Sequence, residues 1–225
     1  MALTFPLSLA GFLQAIPIKS IAFDLPETAI SSRTEGGEVL TETTGVRLWQ
    51  GEVELGRMTP LEAREAMALI RVMEGAEASF LASPLRTPYP KGDPTGALVT
   101  ASIQSGFLPQ VRLLNPTSAN LLSLRNLPAG LVINRGDYVS FQYATAPVRF
   151  AFHQIIEDTT TVDASGLTDN MEVRPHLQPG WQVGDIAQIT FPRCKAKILP
   201  GTVQRGRSTK FMTEGVSFQF QQTLR

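Results

Sequence analysis

Few side chains in this sequence can do covalent chemistry. There is one cysteine, Cys194, and there are two histidines, His153 and His176. Cys194 stands between Arg193 and Lys195, and nearby cations favour a reactive thiolate. The flanking alternation, however, sets Cys194 and Ala196 on the face opposite Lys195 and Lys197, which predicts a small buried thiol. His153 sits in an alternating run between Phe152 and Gln154, and His176 follows Pro175 at the end of another. Two histidines and one cysteine at these separations match no zinc spacing. Glu157 and Asp158 are adjacent, so on a strand they point to opposite faces and do not form a catalytic carboxylate pair. Asp163-Ala-Ser-Gly166 lacks the spaced acidic ligands of a calcium loop and reads as a turn. No G-x-S-x-G elbow, P-loop or G-x-G-x-x-G run is present. The sequence therefore predicts no catalytic residues, no metal ligands and no cofactor, and the protein is not read as an enzyme.

Charge is the stronger signal. The chain has 20 Lys/Arg and 20 Asp/Glu, for a formal net charge of zero, which indicates no general affinity for nucleic acid or anionic membrane. The balance is uneven along the chain. Residues 1–90 carry 7 basic against 11 acidic groups (−4), residues 91–192 carry 6 against 8 (−2), and residues 193–225 carry 7 against 1 (+6). An acidic beginning and a basic end are two unlike surfaces that can attract, within one chain or between neighbours. The basic groups Arg205, Arg207 and Lys210 lie in QRGRSTK, with no interleaved aromatics of the kind single-stranded nucleic acid stacks on. Trp49, Trp181 and Tyr143 are the rings available to stack on a sugar, although core packing is the commoner use of such residues. No basic n-region precedes the apolar start, which Pro6 and Pro17 interrupt, so no signal peptide is expected. No run of about 18 apolar residues predicts a membrane-spanning helix.

Most of the chain reads as short strands and turns. SIAFDLPET and GVRLWQGEVEL alternate in part, with a bulge expected near Gln50–Gly51. The polar stretch SSRTEGGEVLTETTG between them predicts an exposed loop or hairpin arm. One segment differs: TPLEAREAMALIRVMEG predicts a helix over 60–74. Thr59 and Glu62 form a capping box, Pro60 suits the first helical position, and Gly75 can close the end. Leu61, Leu69, Val72 and Met73 are the expected buried stripe, packed on a sheet. RTPYPKGDPTG is a boundary loop. Beyond it, ALVTASIQ and FLPQVRLLN are further apolar runs, and PTSANLLSLRNLP is expected as a short helix or turn. From Gly130 to Phe191, strands recur about every ten residues with Gly/Asp turns between them, the pattern of a small antiparallel barrel or sandwich. At the end, Val216, Phe218 and Phe220 alternate with Ser217, Gln219 and Gln221, as in a half-buried strand.

Three stretches, in this order, resemble distal tail proteins of siphovirus-type bacteriophages and gene transfer agents. The first is RLWQGEVELGRMTPLEAREAMALIRVMEGAEASFLASPLRTPYPKG: strand, one helix, a G-x-x-x-x-F-L strand and a Pro-rich loop. The second is LPAGLVINRGDYVSFQY…RFAFHQIIEDTTTVDASGLTDNMEVRPHL, which is similar to the family's L-x-x-G-D-Y, aromatic-H-[QR] and D-A-S-G modules. The third is PRCKAKILPGTVQRGRSTKFMTEGVSFQFQQTLR, like the closing P-x-C-x-x-x-L-P-G hairpin and its aromatic strand. Together they span most of the chain from about residue 45 onward.

The resemblance implies a mainly β fold with one principal helix. A split β-sandwich or barrel ring domain, residues 1–98 and 193–225, carries an inserted small antiparallel barrel, OB-like, over 99–192. It also implies a structural role in the virion tail tip, after synthesis in the host cytoplasm. Copies would close a ring, commonly of six, between the tail tube protein and the baseplate hub, with the tape measure protein as a further neighbour. DNA would pass through the lumen without specific binding, and no part would insert into a membrane. A closed ring needs a head-to-tail interface. The expected contacts are Lys195, Lys197, Arg205, Arg207 or Lys210 of one copy with Glu35, Glu38 or Glu42 of the next. The alternatives are another tail ring subunit (tube, terminator or hub) or a carbohydrate- or receptor-binding β-sandwich.

Overall fold

The computed structural model describes residues 3–27, 29–43, 45–112, 119–144 and 146–225. Among the described residues the chain is mainly β, with two helices, and its curled antiparallel sheets form half-barrels. In chain order the first elements are β1 (Ile18–Asp24), β2 (Ala29–Arg33), β3 (Val39–Thr43), β4 (Gln50–Leu55), α1 (Pro60–Met73), β5 (Phe80–Ala82) and α2 (Ala97–Gln104). Next come β6 (Gln110–Arg112), β7 (Leu121–Arg125), β8 (Val132–Ile133), β9 (Tyr138–Tyr143), β10 (Arg149–Ile155), β11 (Thr160–Thr161) and β12 (Met171–Arg174). The last are β13 (Ala187–Gln188), β14 (Cys194–Ile198), β15 (Gln204–Ser208) and β16 (Thr213–Gln222).

Two sheets organise these elements. The first runs β1-β4-β16-β14-β5, with β15 continuing beside β16, and takes its strands from residues 18–82 and 194–222. The second runs β13-β9-β10-β12-β7-β6 and draws on residues 110–188. Alternation explains the first core: Val53 and Leu55 of β4 point inward with Val216, Phe218 and Phe220 of β16, and with Cys194, Ala196 and Ile198 of β14. The N-terminal segment adds Phe12, Leu13 and Ile16 to this core. It also covers the β5 edge, where Leu7 N–H donates to Ser79 and Leu81 N–H donates to Leu7, both at 2.9 Å.

The second core gathers Leu122, Leu124, Val139, Phe141, Ile155, Met171 and Val173. Strand β10 joins the two cores, because Phe150 and Phe152 face the first while Ala151 and Ile155 face the second. Trp49 closes the junction. Its Nε1–H donates to the Phe152 carbonyl at 2.8 Å, and its ring meets Phe23, Tyr138 and Phe152 edge-on.

Helix α1 forms as the sequence predicts, but on a different face. Thr59 Oγ1 accepts from the Glu62 N–H, and Glu62 Oε2 accepts from the Thr59 N–H at 2.8 Å, completing the capping box. The buried stripe is Ala63, Ala66, Ile70 and Met73. Of the expected stripe only Met73 is buried. Leu69 packs at the margin, Leu61 is 66% exposed and Val72 is 38% exposed. Small side chains let the helix approach the core closely, so two alanines hold the centre that bulkier residues were expected to hold. Ile70 and Met73 contribute about 1.5–3 kcal/mol each, and each alanine methyl about 0.8 kcal/mol.

Other expectations also shift. Gln50–Gly51 carries no bulge: Gly51 sits in regular register between Phe23 and Phe220, and the irregularity falls at Ile18/Ser20 instead. ALVTASIQ is helix α2, whose first turn is capped from outside. Asp93 accepts the N–H groups of Ala97 and Val99, both at 3.1 Å. The short helix or turn expected in PTSANLLSLRNLP is strand β7 over Leu121–Arg125, while residues 115–118 lie outside the described residues. The DASG stretch is a turn in which Asp163 Oδ1 accepts from Ser165 and Leu167, both at 2.8 Å.

Candidate assembly surface

The groups that looked reactive are sealed. Cys194 is fully buried, and burial pushes its thiol up to about 12, so it stays protonated at neutral pH. His153 is buried as well, and burial drives it down to about 4. Its Nδ1 lies 2.8 Å from the Pro175 carbonyl, so the neutral ring carries its proton on Nδ1 and donates there. Among the described residues, no group of three or more His, Cys, Asp or Glu side chains converges as metal ligands would. Among them, no helix is long and apolar enough to cross a membrane. Trp49 and Tyr143 are core residues with no open ring face for a sugar, and Trp181 is half-buried against the second core.

The outer face of the first sheet is charge-segregated. Period-two alternation turns Asp24 of β1, and Glu52 and Glu54 of β4, away from the core. Ser217, Gln219 and Gln221 of β16 follow, then Lys195 and Lys197 of β14. Across the sheet, the sign passes from acidic through neutral to basic. Lys19 bridges Glu54 at 2.7 Å, and this hydrogen bond holds the Glu54 carboxyl below its usual range. Lys197 Nζ donates to the Ala76 carbonyl at 2.7 Å, which anchors it within its own chain. Lys195 is half-buried.

The remaining charges stand free. Arg205 and Arg207 lie on β15, whose five residues are all exposed, and Lys210 lies at the β15–β16 turn. Among the described residues none of the three pairs with a carboxylate. Arg205 and Arg207 border a hollow of about 1050 Å³ with Lys19, Arg57 and Glu214, and Arg57 is itself paired to Glu214 at 3.1 Å. Gly206 shapes this hollow. It has φ +66°, and a Cβ there would run into the backbone of Glu214 and Gly215. Lys210 Nζ lies 5.4 Å from the Phe211 ring centre, and Phe211 is 75% exposed.

Glu35, Glu38 and Glu42 belong to the β2–β3 hairpin, paired from Ala29↔Thr43 to Arg33↔Val39. All ten strand residues are exposed. Ile30, Val39 and Leu40 are open to solvent along with the glutamates, a feature the polar character of the stretch concealed. The structure thus places Arg205, Arg207 and Lys210 along the N-terminal part of β16 and Lys195 and Lys197 beside its C-terminal end, and holds the expected acidic residues together on one arm. Within one copy, no ion pair among the described residues joins the two groups.

A cleft of about 560 Å³ opens elsewhere, between the Pro-rich loop and the start of β9, bordered by Arg86, Tyr89, Lys91, Arg135 and Tyr138. Asp137 ties its walls: Oδ1 accepts from the Lys91 N–H at 2.9 Å and Oδ2 from the Asn134 N–H at 2.8 Å. Burial pushes the Asp137 carboxyl up against these two bonds. Asp137 falls within the G-D-Y module, but no sequence pattern marked the cleft.

No protein-family model matches this chain, and no curated protein matches it either.

Proposed function

We propose that this protein is a structural ring subunit of a siphovirus-type phage or gene transfer agent tail tip, joining the tail tube to the baseplate hub around the DNA channel. One observation carries the reading: a fully exposed acidic arm and a fully exposed basic strand occur on one chain, and neither is satisfied by the other within that chain. Unlike surfaces on one subunit suit a head-to-tail contact, and such contacts close into rings when the rotation allows. In this reading the first sheet with α1, residues 1–98 and 193–225, is the ring unit. Residues 99–192 are the inserted OB-like barrel on its outside. The motif order of the distal tail family supports the same assignment.

The interface of this ring uses Arg205, Arg207 and Lys210 against Glu35, Glu38 and Glu42 of the neighbour, with Lys195 and Lys197 beside it on the sheet face. Negative-stain microscopy and mass photometry of the purified chain, alone and with tail tube protein, test the reading. Closed rings of uniform subunit number, or rings capping tube ends, are expected. A strict monomer that ignores the tube under all conditions overturns it. A carbohydrate- or receptor-binding module is the second reading, favoured by the cleft with Tyr89, Arg86 and Lys91. Binding on a glycan array that is lost on Tyr89→Ala would support it.

A further inference from the structure

The β2–β3 arm has no partner within the described chain that accounts for it. An isolated two-stranded hairpin is marginally stable in water and needs a third strand or a packing surface. Here both faces are open, with Ile30 and Leu40 at 66% and 55% exposed and Val39 at 52%. The first sheet offers the complementary deficit. Its β5 edge is covered by the N-terminal segment, but β15 pairs only with β16, leaving its outer edge without a strand among the described residues. Such an edge presents unpaired N–H and C=O groups, a template for another strand.

Length and charge both match. Each arm strand and β15 has five residues, about 17 Å of strand. Residues 27–43 carry four glutamates (Glu27, Glu35, Glu38, Glu42) against Arg33, a net of −3. Residues 204–213 carry Arg205, Arg207 and Lys210 with no acid, a net of +3. The other open edge, β1, carries Lys19 and Asp24, and Lys19 is already paired with Glu54, so it has no free positive charge to offer. Beside the β15 edge, exposed Phe211 and Met212 give the arm's apolar side chains a surface to cover.

We infer that the arm of one copy adds as a strand to the β15 edge of the next copy. The contact is therefore main-chain pairing as well as ion pairing. It rests on the ring reading for its head-to-tail sense, and it is tested separately. Backbone hydrogen bonds would supply the attraction, Ile30 and Leu40 would dock near Phe211 and Met212, and the glutamates would select the basic edge. Because the two partners lie on different parts of the chain, each copy uses one arm and one edge, and addition continues until a ring closes.

The test uses two full-length variants, Thr41→Cys and Ser208→Cys, with a short bis-maleimide crosslinker, both free at high concentration and on tube ends. Native Cys194 is buried and will not compete. Crosslinking is expected only when the two variants are mixed, and a chain bearing both cysteines should give a ladder beyond the dimer. In sedimentation, Ile30→Ser with Leu40→Ser should weaken self-association at least tenfold while leaving thermal unfolding unchanged, since both side chains are exposed. Crosslinking by Thr41→Cys alone would mean symmetric arm-to-arm pairing and would overturn the inference. So would the absence of crosslinks from the mixture in both settings. If rings still cap the tube in that case, only the arm-to-edge contact fails. If no rings form with the tube, the ring reading fails as well.

Discussion

Trp49→Phe should uncouple the two sheets. The indole is 2% exposed and bridges them, with Nε1–H on the Phe152 carbonyl of β10 and its ring against Phe23 of β1 and Tyr138 of β9. Phenylalanine keeps a ring in place but removes the donor and the second ring of the indole. The lost hydrogen bond costs about 0.5–1.5 kcal/mol. The space left by the smaller ring adds roughly 1–2 kcal/mol. A total of about 1.5–3.5 kcal/mol lowers Tm by roughly 3–14 °C for a chain of this size. The substitution also leaves Trp181 as the sole tryptophan, and Trp181 packs against the second core. Urea unfolding followed by Trp181 fluorescence then reports the second sheet, while far-UV circular dichroism reports the whole chain. The two transitions should separate in the variant, with the second sheet melting on its own. The links that remain are Gln222 Nε2 to the Phe150 carbonyl at 3.3 Å, the Arg193 N–H to Ser140 Oγ at 2.9 Å, and the Phe150 and Phe152 rings in the first core, and none of them replaces the indole's bond. A loss below about 0.5 kcal/mol with coincident transitions would refute the view that Trp49 couples the sheets.

Three further outcomes follow from named contacts. Gly51→Ala places a methyl against the Phe220 ring and the Ala22 carbonyl oxygen. Denaturant unfolding should show about 1–3 kcal/mol of lost stability, as for an overpacked core, and a neutral result would mean that β1 shifts freely. His153 has a folded pKa near 4, below its unfolded value of 6.5, so its contribution is fully present above pH 6.5 and is lost as pH falls toward 4. That difference is on the order of 3 kcal/mol. Urea midpoints of wild type minus His153→Gln should converge between pH 7.5 and 4.5, and a pH-independent difference would count against burial as the cause. Cys194, with its thiol pushed up to about 12, should resist thiol reagents in the native state and react once in denaturant. Fast native labelling would show that β14 opens.

Local chemistry determined much of this protein. The capping box of Thr59 and Glu62 set where α1 begins, because its donors and acceptors lie within one turn. Alternation determined the inward sets of β14 and β16, because strand side chains change face at every residue. The DASG turn and the burial of Cys194 were legible for the same local reasons. The uneven charge along the chain was plain from counting alone.

Other features belong to the tertiary structure. Which face of α1 is buried depends on how closely the helix meets its core, so Ala63 and Ala66 displaced Leu61 and Val72, which hydropathy favours. Gly51 reads as a break in a strand, and only the rings of Phe23 and Phe220 on the neighbouring strands explain why it is regular there. Helix α2 depends on Asp93, which caps it through side-chain oxygens from outside the helix. The basic residues of β15 and the glutamates of the arm are far apart in sequence. That they remain unpaired within one copy is decided by sheet order, which leaves one edge open and one hairpin without a neighbour.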